Sequence, residues 1–171
     1  MNKNAGFTLI EILIAMVILA IGLLGLAALQ ATSLKNNHSA YNRSQATQLA
    51  YDMADRIRAN PADAIKLATS AYVATTTPVI QQGCKSTTGC TAAQMAQNDR
   101  AQWNADMIST FGALGKGTIA VDAATRIFTI TVNWDDNRDG DVDGNGGDHE
   151  GDTDDDGDTD DDPFFQMSFQ L

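Results

Sequence analysis

The chain has 171 residues, of which 43% are hydrophobic, and a formal charge of −11 at pH 7. That charge is uneven, because residues 135–162 contain 15 acidic residues and one basic residue, whereas the other 143 residues together carry +3. A nearly neutral chain with one acidic insert and no basic stripe of interleaved aromatic residues gives little support for nucleic-acid binding. The length suffices for one modest domain in addition to a membrane segment.

An apolar run of 23 residues extends from Phe7 to Leu29, with Glu11 as its single ionisable residue and no proline. A helix of that length, rising about 1.5 Å per residue, would cross a bilayer core of about 30 Å. A secretory signal has a shorter apolar run that is followed by a small-residue cleavage site. Here the small residue, Gly6, precedes the run, so a cut after it would leave the helix on the mature protein.

The sequence GFTLIE at residues 6–11 resembles the prepilin cleavage site of type IV pilins and of type II secretion pseudopilins. The resemblance implies that a prepilin peptidase cuts after Gly6 and methylates the new N-terminal residue, Phe7. Glu11 has a physical argument of its own, since a carboxylate within an apolar membrane segment is costly and usually marks a function or a partner. The implied partner is the amino group of a mature Phe7, in the same or a neighbouring subunit. The alternative is a generic single-pass anchor.

Lys3 in the short leader favours a cytoplasmic N-terminus, with the remainder of the chain exported. Cys84 and Cys90 fit an oxidising compartment, where a C-x5-C pair can close a small disulfide loop. Such a loop would stabilise the fold by about 2 kcal/mol. A metal pair is the alternative, but two cysteines without a nearby histidine make a poor zinc site.

The helix is predicted to continue beyond the apolar run, because residues 31–59 contain neither proline nor glycine. A helix from Phe7 to about Ala59 would be roughly 80 Å long. Asn60 and Pro61 end it, since proline disfavours helix for the residue before it. Apolar residues follow one helical face at spacings of three and four: Ala46, Leu49, Ala50, Met53, Ala54 and Ile57.

The remaining elements predict an α+β head. A short helix is expected near residues 62–71, within an otherwise irregular stretch that ends at Cys90, and a helix capped by Thr91 over residues 91–111. After a turn at residues 112–117, strands are expected over residues 118–121, 126–134 and 164–171. These strands would form a small antiparallel sheet against the long helix.

Three further segments narrow the resemblance. YNRSQATQLAYDMADRIRANP at residues 41–61, QW at 102–103 and FTITVNWDD at 128–136 look like the PilV minor pilins, also called type IV pilus modification proteins. The resemblance implies a ladle-shaped pilin fold with a leader at 1–6, an assembly helix at 7–29, its amphipathic continuation at 30–60 and a periplasmic head at 61–171. A minor pseudopilin of type II secretion is the nearest competitor, since it shares the N-terminal motif.

The PilV resemblance also implies partners and a location. A prepilin peptidase would process the chain, and other minor pilins and the major pilin would assemble with it to initiate a pilus, in a tip complex. The protein would first be held in the inner membrane and then reach the cell surface in the pilus. Gly22 and Gly25 would allow apolar helices to approach closely.

The acidic insert at residues 135–162 contains a calcium-loop pattern. Asp139, Asp141, Asp143, Gly144 and Glu150 match D-x-[DN]-x-[DN]-G-x5-E, in which alternating oxygens bind the ion and glycine allows the sharp turn. A second, incomplete register begins at Asp152 and has Pro163 in place of the final Glu. The candidate calcium ligands are Asp139, Asp141, Asp143, Asn145, Glu150, Asp152, Asp154, Asp156, Asp158 and Asp160.

Other interpretations of the insert stay open. A solvated, disordered acidic loop produces such patterns by chance, and a different binding partner is a third possibility. No flanking helices are predicted, so a complete EF-hand is not expected, and magnesium prefers fewer carboxylates. His38 and His149 are isolated, and the sequence shows no nucleophile–base pair or phosphate loop, so an enzyme is not predicted.

Overall fold

The computed structural model describes residues 8–87, 89–136, 142 and 163–171. The chain divides into two compact units, with the boundary between Ala40 and Tyr41. Helix α1, Leu9–Ala59, contributes residues to both units. The predicted helix from Phe7 to about Ala59 is therefore confirmed over its described part.

In the first unit, α1 exposes its apolar side chains. Leu9, Ile18 and Leu24 are 78%, 65% and 71% exposed, whereas a folded soluble domain would bury residues of this size in such a continuous series. By length and composition, the described helix α1 could cross a membrane, and an 18-residue window of it reaches a mean hydropathy of 3.0. The apolar surface of this unit therefore needs lipid or other helices to cover it.

In the second unit, residues 41–171, which we call the head from here on, the predicted face of α1 is buried. Ala46, Ala50, Met53 and Ile57 are fully buried in one hydrophobic core, and Leu49 packs against that core. The spacing of three and four thus identified the face of the helix that packs on the rest of the head.

The short helix predicted near residues 62–71 is wrong as a single element. The structure has an α-turn, α2 (Pro61–Ala64), followed by a 3₁₀ helix (Leu67–Thr69). Leu67 adopts a positive φ of 51°, which a continuous right-handed helix does not allow. A second 3₁₀ helix, Gln82–Lys85, lies in the stretch that was predicted to be irregular.

Helix α3, Ala92–Phe111, begins as predicted, because the Thr91 side chain accepts from the Gln94 backbone and the Gln94 side chain accepts from the Thr91 backbone. It ends at Gly112, whose φ of 90° favours glycine. Trp103 on α3 is buried and donates from its indole nitrogen to the Leu49 carbonyl of α1 at 2.9 Å. This contact joins the two long helices of the head.

The sheet has three antiparallel strands in the order β1 (Lys116–Asp122), β2 (Ile127–Asn133) and β3 (Phe164–Gln170). Alternate residues of β2 are buried in the core: Phe128, Ile130 and Val132. All three strands were predicted, but β1 begins earlier and includes Gly117, which was placed in a turn. Gly117 fits there because a Cβ would collide with the Trp103 ring and lie 2.6 Å from Met107 Cε. A long helix with a small antiparallel sheet confirms the α+β fold.

Candidate assembly helix and the root of the acidic insert

Glu11 lies in the first turn of α1, where its backbone nitrogen donates to the Thr8 carbonyl at 3.1 Å. A carboxylate at this end of a helix interacts favourably with the helix dipole. The side chains around it are exposed, so it lies on a surface that other subunits can reach. Gly6 and Phe7 lie outside the described residues, and the pairing of Glu11 with the Phe7 amine stays a prediction.

Gly22 and Gly25 lie three residues apart on the apolar part of α1. A Cβ at either position would meet no atom within 4 Å. The fold of this chain therefore does not require glycine at these two positions. A requirement for glycine there would have to come from the close approach of a second helix.

The end of α1 is joined to α3 by the Arg56 guanidinium. It pairs with Asp52 at 2.7 Å, donates to Gln102 at 2.9 Å and lies 3.8 Å from Asp99. These contacts fix the register of α1 against α3 without a catalytic constellation. Sequence reasoning missed this network, because the partners of Arg56 on α3 lie more than 40 residues away in the chain.

Tyr72 connects the segment after α2 to the same network. Its hydroxyl lies 2.6 Å from Asp99 and 3.2 Å from the Arg56 carbonyl, and it accepts from the Asn60 amide at 3.3 Å. Burial raises the pKa of Asp99, although Tyr72 and Arg56 oppose that change. Burial and the neighbouring Asp99 also raise the pKa of Tyr72. Tyr72 and Arg56 thus offset only part of the cost of burying the Asp99 carboxylate in its charged form.

Asp63 is a second buried carboxylate, with a different environment. It accepts from the Ser70 hydroxyl and the Ala71 nitrogen at 2.7 Å each and from the Lys66 ammonium at 2.8 Å. Burial acts to raise its pKa, but the three donors together hold the pKa of Asp63 below its ordinary value. Asp63 thereby organises the turn between α2 and Tyr72, a role that sequence reasoning missed.

The root of the acidic insert is fixed to the head at both ends. Asn133 of β2 pairs with Phe164 of β3, so the two strands that flank the insert lie side by side. The Asp136 carboxylate accepts from the Asn42 amide of α1 at 3.0 Å and from the Trp134 indole at 3.2 Å. The insert therefore lies between two strands that are antiparallel neighbours in the sheet.

The predicted calcium ligands, Asp139 to Asp160, lie outside the described residues. Within the part of the chain that the structure does describe, no three His, Cys, Asp or Glu side chains are grouped to hold a metal ion. The calcium hypothesis therefore stays a prediction from the sequence.

Cys84 and Cys90 are joined by a disulfide bond, with Cα atoms 4.9 Å apart. The bond closes the loop between the 3₁₀ helix Gln82–Lys85 and α3. This agrees with the interpretation of the C-x5-C spacing and gives no support to a cysteine metal site.

Two family models match adjacent parts of the chain. The prokaryotic N-terminal methylation motif matches residues 1–27, and the model described as type IV pilin Tt1218 matches residues 28–101. The chain belongs to the type IV pilin-like family. Comparison with curated proteins and with solved structures finds no match.

The two matches agree with the geometry of α1. The methylation motif covers most of its exposed apolar part, and the pilin model covers the rest of α1, the connection to α3 and the first half of α3. The type IV pilin-like protein thus combines a membrane-compatible helix with an α+β head, and pilin families have structural rather than catalytic roles.

Proposed function

We propose that the type IV pilin-like protein is a minor pilin of the PilV kind, which takes part in initiating a type IV pilus with other minor pilins in a tip complex. One observation carries this proposal: the methylation motif continues directly into a helix that exposes its apolar side chains along the first unit. That surface suits a subunit that is first held in a membrane and then packed in a filament.

The mechanism is lateral packing of apolar helices. In the inner membrane, lipid covers the exposed side chains of α1, with the N-terminus in the cytoplasm and the head in the periplasm. After cleavage at Gly6, the helix leaves lipid for a bundle of pilin helices, in which Gly22 and Gly25 allow close approach. The carboxylate of Glu11 is then satisfied by the amine of a processed Phe7.

The cleavage step has a direct test. Gly6→Val should block processing and leave a precursor larger by the six-residue leader, together with loss of N-terminal methylation and of pili. Asn4→Ala is the matched control, because it changes the leader away from the scissile bond, and it should be processed normally. A Gly6→Val chain of mature size that still supports piliation would refute the proposal.

A minor pseudopilin of type II secretion is the second candidate, since the methylation motif is common to both classes. Deletion of the gene distinguishes them. Loss of surface pili and twitching supports a pilus subunit, whereas loss of exoprotein secretion with normal pili supports a pseudopilin.

We further propose that the acidic insert binds calcium, on the strength of the pattern from Asp139 to Glu150 and of the fixed root. Because Asp136 and the pair Asn133–Phe164 anchor the ends, an ion would order the connection without refolding the sheet. An ordered, partly neutralised loop would then serve as a calcium-dependent adhesive or docking surface.

Calorimetry on the full-length chain in detergent micelles tests calcium binding. We expect heat from binding at up to millimolar calcium, and its loss when Asp139, Asp141 and Asp143 are changed to Asn. As a matched control, the same change at Asp52, Asp55 and Asp106, which lie in the second unit outside the insert, should leave binding intact. An absence of binding at millimolar calcium would rule out this proposal without affecting the pilin proposal.

A further inference from the structure

A cleft in the head lies between α3, β1 and the segment that follows the 3₁₀ helix Leu67–Thr69. Its volume is about 380 Å³, which lies within the range of small-molecule sites in proteins. Part of the lining is apolar, since Val73, Met107 and Ile119 contribute to it and belong to the hydrophobic core or pack against it. The lining also includes Arg100, so the cleft combines an apolar surface with a positive charge.

The Arg100 guanidinium has no carboxylate partner among the described residues. Its two terminal nitrogens donate to the carbonyls of Ala71 and Thr76, at 3.1 Å each. These bonds orient the guanidinium, but the carbonyls carry no net charge that could neutralise it. Since a guanidinium has five N–H groups, these two bonds leave three N–H groups without a hydrogen bond to a described residue. Those groups are available to an anion that enters the cleft.

Burial distinguishes Arg100 from the other basic side chains that form no ion pair with a described residue. Arg100 is half-buried, and burial lowers the pKa of its guanidinium, which stays charged at neutral pH. A charge that is partly removed from water is costly unless it is paired, so a bound anion would offset this cost. The other side chains of this group are exposed, and water hydrates their charge: Lys35, Arg43, Lys85, Lys116 and Arg126.

The acidic residue next to Arg100 is engaged elsewhere. Adjacent residues of a helix do not face each other, and the Asp99 carboxylate lies 2.6 Å from the Tyr72 hydroxyl and 3.8 Å from the Arg56 guanidinium. Asn104 lies one turn after Arg100 on α3 and also lines the cleft, but its amide is uncharged. The described lining contains neither Asp nor Glu, so a negative charge beside Arg100 would come from a ligand.

We propose that this cleft binds a small carboxylate with an apolar body, and that Arg100 recognises the carboxylate group. The planar fork of a guanidinium matches a carboxylate in shape and charge. The apolar body would lie against Val73, Met107 and Ile119. Among the described residues of the lining there is no second Lys or Arg, so one negative charge complements the cleft better than a doubly charged phosphate.

Titration of the full-length chain in detergent micelles, followed by the amide NMR signals of Thr75 and Thr118, measures binding at the cleft itself. These two residues belong to opposite parts of the lining, the segment before α3 and strand β1. The probes are 3-phenylpropionate, a free organic acid, and acetyl-Gly-Gly-Phe, a peptide with a free C-terminal carboxylate. The matched controls are the uncharged amides of the same two compounds.

At least one acid should shift both signals saturably, with a dissociation constant lower than that of its amide by roughly tenfold or more, because a charged group hydrogen-bonds more strongly. Binding of 3-phenylpropionate alone would identify a free acid as the ligand, and binding of the peptide alone would identify a chain end. Binding of both would show that the carboxylate and the ring suffice. Absence of saturable shifts, or equal binding of each acid and its amide, would overturn the proposal.

Asn104→Asp tests the charge without altering Arg100. It places a carboxylate one helical turn from the guanidinium, where it pairs with Arg100 and repels an anion, so it should weaken binding of the acid by roughly tenfold or more. Ala105→Asp is the matched control, because it adds the same charge at an exposed residue of α3 outside the lining, and it should change the affinity by less than about twofold. Equal weakening in both variants would overturn the role of Arg100.

Arg100→Gln provides a direct test of the recognised group. Glutamine keeps an N–H donor for the carbonyls of Ala71 and Thr76 but removes the charge, so the acid should bind roughly tenfold more weakly or worse and the amide should bind as before. An unchanged affinity for the acid would overturn the proposal. If Arg100→Gln fails to fold, the comparison of Asn104→Asp with Ala105→Asp decides the question, since both of those substitutions are at exposed residues.

Discussion

The two parts of α1 share one helix but place their apolar side chains in opposite environments. Ile18 in the first unit is 65% exposed, whereas Ile57 in the head is fully buried. Residues 12–29 of the first part are apolar on all sides of the helix, so a membrane or a helix bundle can cover them from any direction. The second part has one apolar face and a polar remainder, so a single surface of the head covers it. Composition alone therefore distinguishes a helical segment whose apolar surface is left exposed from one whose apolar face is buried within the chain.

The largest expected effect comes from truncating the buried isoleucine. Ile57→Ala should destabilise the head by about 3 kcal/mol, because it removes buried methyl groups and leaves a cavity. Ile18→Ala is the matched control and should change head stability by less than about 0.5 kcal/mol. Chemical unfolding in micelles, followed by the near-ultraviolet signal of the tryptophans, measures both. A similar loss of unfolding free energy in the two variants would contradict the assignment of Ile18 and Ile57 to different environments.

Glycine substitutions in the head and in the apolar part of α1 should have the next largest effects, and these effects should be opposite in sign. Gly117→Ala should destabilise the head by about 2 kcal/mol, since the new Cβ collides with the Trp103 ring. Gly22→Ala meets no neighbour and should raise the intrinsic helix stability by up to about 1 kcal/mol. If Gly22→Ala nevertheless reduces filament formation at normal protein level, the glycine serves helix–helix contact. Unimpaired filaments would show that close approach at this position is not needed.

Asp63 should provide an acid-sensitive contribution to the head. Asp63→Ala leaves the Ser70 hydroxyl and the Ala71 nitrogen without their acceptor and should cost about 2 kcal/mol at pH 7. Because the folded pKa of Asp63 is lowered, its stabilisation is present above the unfolded value of about 4 and is lost as the pH falls through the folded pKa. Unfolding measured from pH 7 to pH 2 should therefore show a smaller acid-dependent loss in the variant.

Asp99 should behave in the opposite sense and with the smallest effect. Its folded pKa is raised, so the native state gains stability as the pH falls through that pKa towards the unfolded value. Asp99→Asn keeps an oxygen acceptor for Tyr72 and should change stability at pH 7 by less than about 1 kcal/mol. It should also remove this gain on acidification. A loss of several kcal/mol at pH 7 would show that the charge of Asp99 is needed in the head.

The sequence identified the elements whose signals are local. The long helix, the capped helix after Thr91 and the three strands follow from periodicity, capping residues and β-branched alternation, which act over neighbouring residues. The disulfide follows from the spacing of the chain's two cysteines. The N-terminal motif is likewise a contiguous pattern, so it indicated the pilin family before any contact was known.

Tertiary structure decided the features that depend on distant partners. The interruption after α2 arises because Asp63 collects donors from Ser70 and Ala71, an arrangement that competes with a regular helix. Gly117 belongs to a strand because it pairs with Val132 of β2, and glycine is suited to that place because Trp103, fourteen residues earlier, occupies the space of a side chain. The order of the strands leaves β3 with a free outer edge among the described residues. Sequence determines what each segment prefers, but packing decides which neighbours can satisfy that preference, since burial and hydrogen bonding depend on residues far apart in the chain.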